Sequence, residues 1–348
     1  MNCEPGGETD FYALNHEGQA ARMRELAASA LAQWGIEGAQ LELIKYRENA
    51  VFSASTSDGA RYAVRIHRAG YHTDDELRSE LQWMEALAGH GIEVPALLPT
   101  SEGAAFAVVS GAGVPEPRQI DVFAWVEGRP LGAAETGVAD TGTVGSNYYT
   151  IGALAAQLHN QASSWTLPAG FTRHAWDIPA LVGPEPLWGP FWELEALTVE
   201  ERSLLQRARE RVAGDLETYA AAPGSGDRYS LIHADFVVEN LIVDGDKVRL
   251  IDFDDAGFGW HLFELATALY FEMEADYFEQ AYAAMVAGYR SQRELPDEQL
   301  QYMPLFFLAR SFTYLGWVHT RFETETAREL TPLLVQKACK LARDYLRD

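Results

Sequence analysis

Between residues 231 and 255 the chain carries an acid, an amide and a second acid at spacings that suit work on a metal-bound phosphate. Leu231-Ile232-His233-Ala234-Asp235-Phe236-Val237-Val238-Glu239-Asn240 is followed by Leu250-Ile251-Asp252-Phe253-Asp254-Asp255. The apolar runs 241–243 and 248–251 flank Asp244-Gly245-Asp246, the signature of a tight hairpin. Folding that hairpin sets Asn240 and Asp252 across from one another at its open end, where cross-strand Cβ atoms lie roughly 4.5–5.5 Å apart. Their oxygens can then share one Mg²⁺, whose ligands sit at about 2.0–2.1 Å. Asp235 lies on the loop entering the hairpin and faces the same site. Phosphoryl transfer asks for these parts: a carboxylate to orient the attacking hydroxyl and take its proton, and an amide oxygen with a second carboxylate to hold the metal on the phosphates. Asp235 is the expected base; Asn240 and Asp252 are the expected metal ligands. The competing reading is an ordinary Asp-Gly hairpin with polar ends, against which the apolar strands and the IDFDD ending speak.

A second set lies upstream. In Arg61-Tyr62-Ala63-Val64-Arg65-Ile66-His67 side chains alternate faces, so Ala63 and Arg65 share one. A small residue there leaves room for a flat adenine, and a cation two positions on reaches phosphate oxygens. Leu77, Leu81, Met84 and Ala88 form the apolar stripe of the next helix, and Glu80 falls only about 40° from its centre. An inward carboxylate needs a cation, and Arg65 is the natural partner; an exposed Arg and a rim Glu is the alternative. Asn49, in Tyr46-Arg47-Glu48-Asn49-Ala50-Val51-Phe52, belongs to a turn whose backbone N–H groups would cover phosphates, although no GxGxxG pattern is present. The strand 120–126 is either an adenine-binding strand or plain core. His233 is expected to brace the loop. The Trp-rich stretch 162–197 lines a substrate pocket or packs as core, and Asp254 is a further metal ligand or a solvated turn carboxylate.

The elements that must position these residues can be read from periodicity. A helix is expected over 17–34, strands over 51–56 and 61–67 around Ser57-Asp58-Gly59-Ala60, a helix over 73–88, and strands over 105–109 and 120–126. Glu127-Gly128-Arg129-Pro130 marks a boundary. It divides the chain into 1–127, mixed and nucleotide-binding, and 128–348, catalytic and mostly helical: an α+β fold with an antiparallel sheet in its smaller lobe. Beyond the boundary come a helix around Tyr148–Leu158, the irregular stretch 162–197, a charged helix over 199–220, and strand-like residues over 231–254. Residues 253–262 run straight into a helix, leaving no phosphorylatable activation segment. Later helices are expected to break near Pro296 and around Thr331-Pro332.

Composition narrows the function classes. The chain has 348 residues, 47% of them apolar, which suits two cored units. A formal net charge of −24 repels nucleic acid, and no basic patch offsets it. The stretch 230–280 is acidic, with Lys247 and Arg249 as its basic residues; an acidic cleft would attract a cationic substrate or a metal, while the plain reading is a self-repelling surface. Cys3 and Cys339 offer no disulfide framework. The first ten residues lack the basic start of a signal peptide. Residues 303–318 are apolar but short and contain Arg310. A soluble, cytoplasmic protein without nucleic-acid or membrane partners is expected, of open oligomeric state.

At these residues the chain resembles the aminoglycoside phosphotransferase–choline kinase superfamily, most closely its homoserine-kinase-like and stress-response Ser/Thr kinase branch. YRENAVF, RYAVRIHR, SELQWMEAL, FAWVEGRPL, the helix ending AAQLH, HADFVVEN and LIDFDDAGFG stand in the family's order, from Tyr46 to Leu269. The resemblance implies a two-lobed protein-kinase-like fold, a small lobe with a five-stranded sheet, a mostly helical large lobe, and MgATP between them. It implies the same roles for Asp235, Asn240 and Asp252. The chain departs from the family at Arg65, often Lys; at Ala234, often Gly; and at Glu264, often Asp. The reading is an ATP-dependent transfer of the γ-phosphoryl group to a small-molecule hydroxyl, of an amino alcohol, amino acid or aminoglycoside-like compound. A Ser/Thr protein kinase and a non-catalytic nucleotide-binding regulator are the alternatives.

Overall fold

The computed structural model describes residues 10–133, 137–245 and 247–347. Cys3, the remainder of the N-terminal stretch through residue 9, and Asp246 of the hairpin turn lie outside them. The chain forms two compact units: Met1–Gly89 with Val94–Glu127 and Ala169–Thr172, and His90–Glu93 with Gly128–Pro168 and Arg173–Asp348.

In the first unit, helix α1 (His16–Ala30) starts where the Asn15 side chain accepts the Gly18 N–H at 2.9 Å. Its buried face, Ala20, Met23, Leu26, Ala27 and Ala30, repeats at helical period. Strands β1 (Gln40–Tyr46), β2 (Ala50–Ser55) and β3 (Arg61–Ile66) precede α2 (Asp74–Gly89), then β4 (Leu97–Leu98), β5 (Ala107–Val109) and β6 (Arg118–Ala124). The sheet runs β1-β2-β3-β6-β4, with β5 also paired to β6, and every pairing is antiparallel. It therefore has six strands, one more than the family resemblance implies, because β4 and β5 share β6. The strand expected over 120–126 lies at 118–124. Phe52, Ala54, Val64, Ile66, Ile120 and Val122 pack with Met23, Leu26 and Leu31 as one core.

The second unit opens with short strands β7 (Arg129–Pro130), β8 (Gly132–Ala133) and β9 (Gly137–Val138), then α3 (Val144–Ser164), β10 (Ala175–Trp176), α4 (Ile178–Val182) and α5 (Val199–Ala221). Strands β11 (Tyr229–Ile232), β12 (Leu241–Asp244), β13 (Lys247–Leu250) and β14 (Gly257–Trp260) follow. Helices α6 (His261–Leu269), α7 (Phe278–Arg290), α8 (Asp297–Leu300), α9 (Met303–Thr320) and α10 (Glu325–Tyr345) complete it. Strand β14 lies between β10 and β11, and β12 between β13 and β7. Residues 253–262 thus do not pass straight into a helix; β14 intervenes, held by β11 in register Ile232↔Gly257 to Tyr229↔Trp260. The apolar stretch from Met303 is the buried helix α9, and among the described residues no helix is long and apolar enough to cross a membrane.

The break expected at Pro332 does not occur. Pro332 lies inside α10. It forfeits one backbone bond, but Leu334, Val335, Ala338, Cys339 and Ala342 beyond it are buried on the α9 and α5 side, and the Thr331 hydroxyl donates to the Ala327 carbonyl at 2.6 Å. Tertiary burial outweighs the local penalty.

Helices α3 and α7 touch backbone to backbone at Gly152 and Gly288. A Cβ on Gly152 would strike the Met285 carbonyl, and one on Gly288 the Tyr149 carbonyl. Gly288→Ala is therefore expected to lower the unfolding free energy by about 1–3 kcal/mol, the usual cost of overpacking. Urea denaturation checks this; an unchanged midpoint would show that the helices part freely.

Candidate active site

The loop after β11 is built from below. Glu264, in the first turn of α6, accepts the His233 N–H on Oε1 and the Ala234 N–H on Oε2, both at 2.7 Å. This clasp holds Ala234 at φ 64°, a left-handed conformation that costs a side chain about 1–2 kcal/mol and that glycine adopts freely. Burial pushes the Glu264 carboxyl up, against the pull of His233 and the two N–H donors. His233 is buried and its pKa is pushed down to about 4 by desolvation, so its ring is neutral. Nε2–H donates to the Ile251 carbonyl at 3.0 Å, which leaves Nδ1 to accept the Asp235 N–H at 3.2 Å. The histidine ties the loop to the end of the hairpin, as a brace.

Asp235 is then gripped on both oxygens. The Asn240 amide Nδ2 donates to its carbonyl at 2.9 Å and to Oδ2 at 2.8 Å. Arg310 Nη2, from α9, donates to Oδ1 at 3.3 Å. The side chain stays 24% exposed, so a substrate can still reach it.

Hairpin β12–β13 forms in the register Leu241↔Leu250 to Asp244↔Lys247. One further bond, Ile251 N–H to the Asn240 carbonyl at 2.9 Å, extends it. Asn240 therefore stands opposite Ile251, and Asp252 is one position beyond. The expectation that Asn240 and Asp252 pair directly is off by that residue. Asp252 takes φ 65°, a left-handed turn that aspartate tolerates better than most side chains. Both Asn240 Nδ2 protons face acceptors, which sets the amide orientation and leaves Oδ1 with no hydrogen-bond donor among the described residues. That oxygen, with the half-buried Asp252, suits a hard divalent cation. No group of three or more His, Cys, Asp or Glu among the described residues could hold a metal alone, so phosphate oxygens and water would supply the other ligands.

Beyond Asp252 the backbone is fastened by the stretch 173–176. Arg173 donates to the Asp254 and Ala256 carbonyls. The Asp255 carbonyl meets His174 Nε2 and the Trp176 indole N–H, each at 3.0 Å. Trp176 and Trp188 are buried and meet edge to face at 5.0 Å. These tryptophans of the 162–197 stretch therefore pack as core. Asp254 is buried, which removes the reading of a solvated turn carboxylate.

Beneath the loop lies a histidine cluster. His159 and His261 stack at 4.0 Å, and His159 Nε2 stands 3.8 Å from Glu264 Oε1. Burial holds both rings well below the usual histidine range. Acid must therefore destabilise this unit. Below about pH 6.5 the unfolded chain gains protons that folded His159, His233 and His261 refuse, so stability falls as pH drops toward the folded pKa values. The raised Glu264 carboxyl acts in the opposite sense, by at most one proton against three, so the net effect of acid is still destabilising. Urea titrations at pH 7, 6 and 5 check this; equal midpoints would contradict it.

In the first unit, Arg65 Nη2 meets Glu80 Oε1 at 2.8 Å and Asp121 Oδ2 at 2.6 Å, while Nε meets Asp121 Oδ1 at 3.0 Å. All three side chains are buried. Asp121 faces Arg65 across β3–β6. Despite its burial, Arg65 and His67 hold its carboxyl below the ordinary range. Ala63 pairs with Ser53 and Phe123. The Asn49 side chain ties its turn to the residues past β3, accepting the Arg68 N–H at 3.0 Å.

The comparison that decides the family is broad. A model described as "Phosphotransferase enzyme family" matches residues 42–299. The chain belongs to this family. It is 31% identical to a solved microcompartment-associated aminopropanol kinase, covering 93% of this chain and 98% of that one with a TM-score of 0.81. It is 25% identical to amicoumacin kinase of Bacillus subtilis over 92% of this chain and 90% of that protein. It is also 25% identical to homoserine kinase of Sinorhizobium fredii over 77% of each. The kinase-like α+β fold and the family read from the motifs agree with these findings. The protein is an ATP-dependent phosphotransferase acting on small-molecule hydroxyl groups.

Three features of the two units escaped the sequence reading. Asp121 left a signal, an acid among apolar residues in β6, on the sheet face it shares with Arg65. Arg310 left a weaker one, a lone cation in an apolar helix. The Arg173–Trp176 clasp left none, since its contacts run through backbone carbonyls.

Proposed function

We propose that Asp235 accepts the proton of the acceptor hydroxyl and aligns its oxygen for attack on the γ-phosphorus of ATP. The observation that carries this is the grip on both Asp235 oxygens, by Asn240 Nδ2 and Arg310, in a side chain that remains partly open. A carboxylate so held loses little orientational freedom on reaching the transition state. Asn240 Oδ1 and Asp252 would hold Mg²⁺, which when bound offsets phosphate charge. Arg65, braced by Glu80 and Asp121, would contact phosphate oxygens; Ala63 would leave space for the adenine face; and the Asn49 turn would cover the phosphates with backbone N–H groups.

For the acceptor we propose an amino alcohol or a hydroxy amino acid. The similarity to aminopropanol kinase and homoserine kinase supports this class, and the similarity to amicoumacin kinase keeps amicoumacin in view as an acceptor to try. A cytoplasmic setting belongs to the same reading. The test is acceptor-dependent ADP release from MgATP over amino alcohols, hydroxy amino acids, aminoglycosides and a general protein substrate. A phosphate monoester of an amino alcohol or hydroxy amino acid is the expected product. Phosphorylation of the protein substrate alone would overturn the proposal.

A further inference from the structure

Arg310 is a fully buried guanidinium at the centre of α9. It sits in a box of aromatic faces: its Cζ lies 4.2 Å from the Tyr314 ring centroid, 5.2 Å from Trp188 and 5.5 Å from Phe263. Nη2 donates to the Tyr314 hydroxyl at 3.0 Å and to Asp235 Oδ1 at 3.3 Å. Nε and Nη1 meet no hydrogen-bond acceptor among the described residues, and the ring faces stand in their place. A buried cation of this kind is costly unless a carboxylate answers it. The carboxylate within ion-pair distance is Asp235.

We infer that Arg310 is a positioning residue for phosphoryl transfer: it fixes Asp235 through Oδ1 and fills, with the chain's own cation, the aromatic box beside the base. This rests on the reading of Asp235 as the base. Two consequences follow. The Trp188–Phe263–Tyr314 box does not house the ammonium of an acceptor, because the guanidinium already occupies it. And Asp235 and Arg310 depend on one another, since each removes the other's uncompensated charge.

The test is steady-state kinetics of Arg310→Ala and Arg310→Met with MgATP and the acceptor found by the screen. The expected result is a kcat at least tenfold lower with KM for ATP essentially unchanged. Added guanidinium at low millimolar concentration should restore part of the kcat of Arg310→Ala, saturably, because the emptied box fits that ion; tetramethylammonium should not, since it has no N–H for Asp235. Folded Arg310 variants with near-normal kcat would overturn the inference, as would a lowered kcat that guanidinium leaves untouched. Should neither variant fold, thermal unfolding of Asp235→Asn decides. A melting temperature several degrees below the parent's is expected, because the buried guanidinium then lacks its counter-ion; an equal or higher one would overturn the inference. The base assignment fails differently, through full turnover by Asp235→Asn.

Discussion

Asp235→Asn will lower kcat by about 10²–10⁴-fold, the range a positioned general base supplies, while nucleotide affinity hardly moves. The substitution is nearly isosteric. The loop that carries residue 235 is held by Glu264 on the N–H groups of His233 and Ala234 and by His233 on the Ile251 carbonyl, and none of those contacts uses the Asp235 carboxylate. The Asn240 amide can still donate to the carbonyl of residue 235. What disappears is the only atom pair in the loop that can accept the acceptor's proton while being aimed from two sides. The loss corresponds to about 2.7–5.4 kcal/mol of transition-state stabilisation. Steady-state kinetics with the identified acceptor, beside calorimetric titration with a non-hydrolysable ATP analogue, separates chemistry from binding. Turnover within a few-fold of the parent would retire Asp235 as the base and leave orientation of phosphates as the source of catalysis.

How much of this was legible beforehand depended on whether a function ran through local pattern or through distant contact. The β12–β13 hairpin was legible because alternation and an Asp-Gly turn report on neighbouring residues. Its end was misplaced by one residue: the Asp244↔Lys247 closure fixes a register in which Asn240 faces Ile251, so Asp252 falls one position beyond, where it turns at φ 65°. Glu80 was legible as an inward acid from helical phase alone, and its contact with Arg65 follows from the need to answer a buried charge. Asp121 shares that guanidinium with Glu80, but it comes from a strand far along the chain, so only the β3–β6 register exposes it. The Pro332 reading failed because a local penalty was weighed without the burial of Leu334, Ala338 and Cys339. The tryptophans of 162–197 were ambiguous because an aromatic ring suits a pocket and a core equally. For Trp176 and Trp188, burial and their contacts with the Asp255 carbonyl and with Arg310 resolve that ambiguity.

Glu264→Ala will destabilise the second unit by about 2–6 kcal/mol, the cost of two buried N–H groups left without an acceptor, and will lower kcat with it. Two N–H groups, of His233 and Ala234, lose their acceptors at once. Each buried orphan costs about 1–3 kcal/mol, and truncation leaves a void at the start of α6, where every residue is buried. The effect on activity has its own route. Ala234 is held at φ 64° against a cost of about 1–2 kcal/mol. Once the clasp is gone, that strain is released by relaxing the loop, and Asp235 moves off its line with Arg310 and Asn240. Glu264→Gln keeps one carbonyl oxygen, so it can accept from one N–H and must turn an NH₂ toward the other; it should fall between the parent and Ala. Urea midpoints order the three proteins, and amide hydrogen exchange at His233 and Ala234 should accelerate in step with that order. An Ala variant within about 1 kcal/mol of the parent, with protected amides at 233 and 234, would mean that the loop holds its left-handed residue without help from α6. The frequent glycine of the family at position 234 would then be a matter of chance rather than of backbone strain.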